Sequence, residues 1–217
     1  RRKEPKTPRF CTQTEQTFFP RGCRLLSQGK PPLPILLPMQ LLEEEKVECR
    51  LFTNITNASE VTKLTKKKPE NQEDHMNASF LSGKHILHPH QLKVAVHRVI
   101  HAHHNTKLIT NSLSAEIVFV ISGCGSTSQA FRRFAVNEQD QSVVVVLFGA
   151  TAEKWEKVRE LVQGTEVALE DIPAELEKGA DMESLINVYG LTKNPIVKDN
   201  KNALLSAMIT AIATQKI

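Results

Sequence analysis

The 217 residues are 40% apolar and 24% charged, enough for one core of domain size with a polar tail. The net charge of +4 is uneven: residues 1–38 contribute +6 and the other 179 sum to −2, so the basic isoelectric point belongs to the tail and is no argument for a nucleic-acid-binding domain. Four scattered cysteines form no close ligand pair, and no apolar run reaches the 18 residues of a membrane span; the expectations are a reducing compartment and no membrane partner.

Residues 1–38 hold seven of the eleven prolines and eight Arg or Lys against two Glu. PPLPILLP at 31–38 is extended by its prolines, which also interrupt any secretory apolar core. This segment reads as a disordered basic extension, and the folded domain as 39–217. The acceptor sequons at Asn54, Asn57 and Asn77 are then read as chance matches. Val47–Phe52 predicts a short edge-like strand containing Arg50. Asn57 or Ser59 opens a helix through Ala58, Val61 and Leu64, followed by Lys66, Lys67 and Lys68 and stopped by Pro69. After a polar loop at 70–77, Phe80 and Leu81 return to the core.

Seven of the eight histidines fall between His85 and His104. Pro89 suits a first helical turn; Leu92, Ala95, Val96 and Val99 form an inward stripe. His97, His101 and His104 share one side at spacings of four and three, which suits zinc, but no HExxH pattern or nearby Cys accompanies them. Surface histidines on an amphipathic helix are the expectation, with no metal.

Residues 112–148 read as strand, helix, strand. Glu116–Ile121 and Val143–Phe148 are continuous apolar runs rich in β-branched residues, expected as strands buried on both faces. Between them Ala130, Phe131 and Phe134 give a helix an apolar stripe, capped by Ser126 or Thr127, with Arg132 and Arg133 outward. The GCG at 123–125 lacks a Walker lysine or GxGxxG frame, and Cys124 has no histidine beside it in sequence. Ala152–Val162 predicts a helix with Trp155, Val158 and Leu161 or Val162 inward. Val167–Leu169 predicts a strand broken by Asp171-Ile-Pro, and Asp181–Tyr189 a helix stopped by Gly190. Asp199 is expected to cap a last helix, Asn202–Thr214, whose two stripes are Leu204, Met208, Ala211 and Leu205, Ile209, Ile212. Apolar residues cover so much of its circumference that a protein partner is expected. The fold class is α+β: a compact domain with a small mixed sheet, helices around it and an apolar C-terminal helix.

MQL at 39–41, ECRLF at 48–52, N-x-x-N-A at 54–58, HPHQLKVAVHRVIHAHH at 88–104 and KLITNSLSAEIVF at 107–119 occur in order. AFRRFAV at 130–136, VVVVLF at 143–148, INVYGL at 186–191 and LLSAMI at 204–209 follow. In order and spacing these pieces resemble the small subunit of the KEOPS complex, the PRPK-binding protein family. The resemblance implies a non-catalytic αβ subunit without cofactors. It would bind the atypical kinase PRPK, reach other KEOPS subunits indirectly, and support threonylcarbamoyl-adenosine modification of tRNAs reading ANN codons, in cytoplasm and nucleus. Leu204, Leu205, Met208, Ile209 and Ile212 are the candidate kinase-binding residues; Lys66, Lys67, Lys68, Lys107, Arg132 and Arg133 are candidate tRNA contacts. The alternatives are an auxiliary module holding the tRNA 3′ end, as implied by archaeal relatives, and a diverged copy with reduced function. Asn111 stands where relatives usually carry a basic residue, ISGCGST at 121–127 replaces an Asn-rich loop, and Ala135 replaces a glycine.

Overall fold

The computed structural model describes residues 46–66 and 77–215. The readings made for residues 1–38, for Lys67, Lys68 and Pro69, and for most of the polar loop lie outside them. Four strands, β1 (Glu48–Thr53), β2 (Ala78–Ser82), β3 (Ser142–Leu147) and β4 (Thr165–Glu166), form one sheet in the order β2-β3-β1-β4. The nine described α-helices are α1 (Ala58–Lys66), α2 (Pro89–His104), α3 (Leu113–Ser122), α4 (Thr127–Phe134), α5 (Ala152–Leu161), α6 (Ile172–Gly179), α7 (Met182–Val188), α8 (Pro195–Asp199) and α9 (Lys201–Thr214). The expected α+β class, a small sheet surrounded by helices, is present.

Among the described residues adjacent strands pair antiparallel. Residues 116–121, read as a strand, are in fact the body of α3. A continuous apolar run does not distinguish a doubly buried strand from a buried helix. The deciding residues flank it. Ser112 caps the helix by accepting a hydrogen bond from Ala115 N at 3.2 Å, and Gly123 ends it in the left-handed region at φ 61°. With that segment helical, no two adjacent strands among the described residues run parallel, while β1 and β2, and β3 and β4, run parallel to each other across one intervening strand.

β3 is the doubly buried strand its composition predicts. Val144, Val146 and Phe148 join Cys49, Leu51 and Leu81 beneath α2, α3 and α4, while Val143, Val145 and Leu147 join Phe52 and Phe80 beneath α1 and α5. β1 is no edge: it pairs with β3 from Glu48 to Thr53 and with β4 at Phe52 and Thr53. Its Arg50 lies 4.2 Å from the centre of the Trp155 ring and pairs with Glu166 at 2.7 Å, so the charge stays at the rim while its stem covers the indole.

Three boundaries differ from expectation. The last strand is Thr165–Glu166 rather than 167–169, and the Pro read as a breaker sits in the first turn of α6, where its missing N–H costs nothing. Asn200, not Asp199, caps α9, accepting from Ala203 N at 3.1 Å; the residues before it form α8, opened by Asn194 and Pro195. On α4, Ala130 and Phe134 are buried but Phe131 is 37% exposed, and the N-cap Ser126 makes no side-chain capping bond.

A third apolar cluster, Leu87, Leu185, Ile186, Val197, Leu204 and Met208, joins α7, α8 and α9. Ile212, at the other end of α9, belongs instead to the main core. The helix therefore spans two clusters.

Candidate functional site

The C-terminal helix shows which side is inward. Leu204, Met208 and Ile212 are fully buried, whereas Leu205 and Ile209 are half-buried. The inner row thus takes Ile212 rather than Ala211. At 3.6 residues per turn, positions 204 and 212 differ by about 80°, so the buried row winds around the helix as it passes from one cluster to the other. Three of the five candidate kinase-binding residues accordingly face the core of this chain. Leu205 and Ile209, spaced by four, lie on the side nearer solvent, and Ile196 on the preceding α8 is 68% exposed.

Contacts from distant residues hold α9 in place. Arg98 of α2 donates to the carbonyls of Ile212 and Gln215, bringing a cation to the negative end of the helix. Gln215 Nε2 donates to the Cys124 carbonyl at 2.8 Å, and Lys201 pairs with Glu177 at 2.7 Å near the other end. Sequence reasoning missed Arg98; a lone arginine on a histidine-rich helix carries no signal of its partner 114 positions away.

Beside α7, Arg132 and Arg133 line a polar cavity of about 540 Å³ with Lys84, His85, Asp181 and Glu183. His85 is 5% exposed; its Nε2 lies 3.0 Å from Ser184 Oγ and its ring 5.3 Å from that of Phe134. Burial holds its imidazole below the ordinary value, and the Lys84 ammonium adds to that effect against Asp140, Asp181 and the Arg133 backbone. Lys84 Nζ pairs at 2.8 Å with the buried carboxylate of Asp140, which also accepts from Asn137 N at 2.8 Å. A buried polar network adjoins His85. Gln91 is fully buried and donates to Tyr189 Oη at 3.1 Å and the His85 carbonyl at 3.3 Å; the Tyr189 hydroxyl donates to the Ile121 carbonyl. Burial keeps that phenol well above its usual range. Gly123 is required here: its φ is positive, and a Cβ would stand 3.2 Å from the Tyr189 ring.

Among the described candidate tRNA contacts, Lys107 stands apart from the arginine pair. Arg132 and Arg133 meet at the cavity, where Arg133 Nη1 lies 3.9 Å from Cys124 Sγ, just past the end of α3. Lys107 lies before the other end of α3, about 15 Å away by helix rise. Its loop is fixed by Glu116, a fully buried carboxylate that accepts from Ile109 N, Thr110 N and Thr110 Oγ1 at 3.3, 2.7 and 2.6 Å. Lys66 ends α1, and Lys67 and Lys68 lie outside the described residues. Seven of the histidines are described; His97, His101 and His104 are exposed, and among the described residues no group of three or more His, Cys, Asp or Glu is placed to hold a metal. Cys49 is buried, and its thiol is pushed up to about 12 by burial and then by Glu48, which disfavours the reactive thiolate.

Fold and site together define a helix-covered α+β domain whose distinguishing surfaces are an apolar terminal helix and a polar cavity edged by arginines. The family model described as kinase binding protein CGI-121 matches residues 52–216, and the chain belongs to that family. It is similar to the EKC/KEOPS complex subunit TPRKB of Danio rerio, 23% identical over 179 residues that cover 82% of this chain and 96% of the relative. The EKC/KEOPS complex subunit CGI121 of Yarrowia lipolytica is 24% identical over 171 residues, 78% of this chain and 93% of the relative. That of Candida glabrata is 21% identical over 169 residues, 77% and 91%.

Proposed function

We propose that this chain is a non-catalytic accessory subunit of a KEOPS-type complex. It binds a PRPK-type atypical kinase through the outer side of α9, and thereby supports threonylcarbamoyl-adenosine modification of tRNA in cytoplasm and nucleus. The family's description as kinase-binding and the relatives' names as KEOPS subunits support the assignment. The observation that carries the surface is the half-buried pair Leu205 and Ile209, on a helix otherwise anchored at both ends. Interface energy concentrates in a few apolar anchors, and this pair on a fixed helix is suited to that role. Leu205 also packs against the Leu204 cluster, so the test is Ile209→Asp, which should leave the melting midpoint near that of the unaltered chain and abolish co-purification with the kinase. A variant that melts normally and still binds would move the interface off α9.

A second reading, auxiliary contact with tRNA, rests on Arg132 and Arg133 standing together with Lys84 at one cavity. Guanidinium groups suit phosphate oxygens. Asp181 and Glu183 on the same rim keep the local field mixed, so this contact is subordinate to the kinase interface.

A further inference from the structure

We propose that His97 and His101 form a two-imidazole chelate for a late first-row divalent metal ion on the outer side of α2. The helix is continuous from Pro89 to His104, and Leu92, Ala95, Val96 and Val99 on its inner side are fully buried. Its rotation about its own axis is therefore set by the core, and both histidines are exposed. Residues four apart on a helix lie one above the other with Cβ atoms about 6 Å apart. The same spacing lets the two histidines of an HExxH helix share one zinc ion. The helical backbone does not have to be assembled on binding, and only the His101 ring, whose two nitrogens both lie 3.4 Å from Asn105 Nδ2, has to turn toward His97. Arg98, next to His97, is tied to the carbonyls of Ile212 and Gln215, and Asn105 closes the following turn by donating Nδ2 to the His101 carbonyl at 2.7 Å.

The donor set selects the ion. Two ring nitrogens with no carboxylate between them, on a helix that contains no Asp or Glu, suit copper(II), nickel(II) or zinc(II) rather than magnesium or calcium. Lys93 stands one turn before His97 in the same row and adds positive charge, so the chelate depends on coordination rather than on electrostatic attraction. Each imidazole replaces one water of the aqua ion, and the remaining positions stay hydrated. The pattern lacks the glutamate that serves as base in hydrolytic HExxH helices, so the role is binding and not catalysis. His103 points to another side, 200° from His101 by helix geometry, and serves as an internal control.

The test is calorimetric titration of the full chain with nickel(II) and zinc(II) chlorides, alongside histidine side-chain NMR. The expected result is one saturable ion per chain, with the His97 and His101 resonances shifting together and magnesium without effect. Loss of a metal's outer-shell partner alone costs 10–100-fold, so His97→Gln or His101→Gln, each removing a ligand, should weaken binding at least about tenfold. His103→Gln should bind as the unaltered chain does. Unchanged affinity in the His97→Gln, His101→Gln double variant would place the ion elsewhere and overturn the proposal. So would the absence of saturable one-to-one binding by the unaltered chain, a measurement that needs no variant to fold.

Discussion

Neutral His85 is the form that the interior accepts. Its native pKa lies below that of the unfolded imidazole, about 6.5, so the unfolded chain takes up the proton first as pH falls. Its contribution is complete above that value and is lost as pH falls from there toward the native pKa. His88, lowered by burial and then by His90, adds a second share; its ring accepts from His90 N at 3.1 Å, a cap that protonation removes. Thermal midpoints taken from about pH 7 to about 5.5 should therefore decline less in His85→Gln than in the unaltered chain, with the share of His88 remaining. Parallel declines in the two proteins would show that His85 contributes no pH dependence.

At the scale of elements, α9 and α3 carry opposite lessons. Leu204 is fully buried against α7 and α8, so Leu204→Ala should cost about 2–5 kcal/mol in chemical denaturation, through reduced transfer energy and the cavity left behind. A cost under about 1 kcal/mol would mean that the helix end frays in solution. The sequence showed that α9 is apolar on too many sides for simple surface packing, but not that its buried row drifts from Met208 to Ile212. That drift arises because the two ends of the helix meet different clusters, which only the tertiary arrangement defines. For α3 the necessary signals were present: Ser112 and Gly123 stand at helix-cap separation around the apolar run. The β-branched composition outweighed them, although total burial makes composition a poor guide to the backbone. β3, with nearly the same composition, was read correctly because sheet pairing consumes its backbone groups on both sides. The arginine pair was legible as outward-facing charge, whereas Lys84, Asn137 and Ser184 had no pattern to mark them, since three separate segments bring them to one cavity.

At the scale of the molecule, charge and chain are divided between a basic tail and a nearly neutral domain. We expect deletion of residues 1–38 to leave the thermal midpoint of the remainder within about 2 °C, because the segment lacks a repeating apolar pattern; 1 kcal/mol would move it by about 2–4 °C in a domain this size. A larger fall would mean that Leu36, Leu37 or the tandem Phe18 and Phe19 dock on the domain. If the proposed tRNA contact holds, Arg132→Glu with Arg133→Glu should weaken tRNA association by the proposed KEOPS-type complex and lower the salt slope by about one unit for each phosphate no longer neutralised. Unaltered affinity and slope would remove the arginines from the tRNA surface.

The sheet order also sets a timetable for synthesis. β1 finds its full-length partner in β3, where paired residues are 89 to 99 positions apart, and β2 pairs with the same strand. Neither can complete a ladder until β3 has left the ribosome. At about 5–20 residues per second, β1 waits roughly 5–20 s with Leu51 and Phe52 unpaired. Loops of this span are slow to close, so folding rates should resemble those of proteins dominated by distant contacts despite the many helices. A nascent chain halted before Ser142 should accordingly remain protease-sensitive and engage chaperones, and protection should appear abruptly once the valine run emerges.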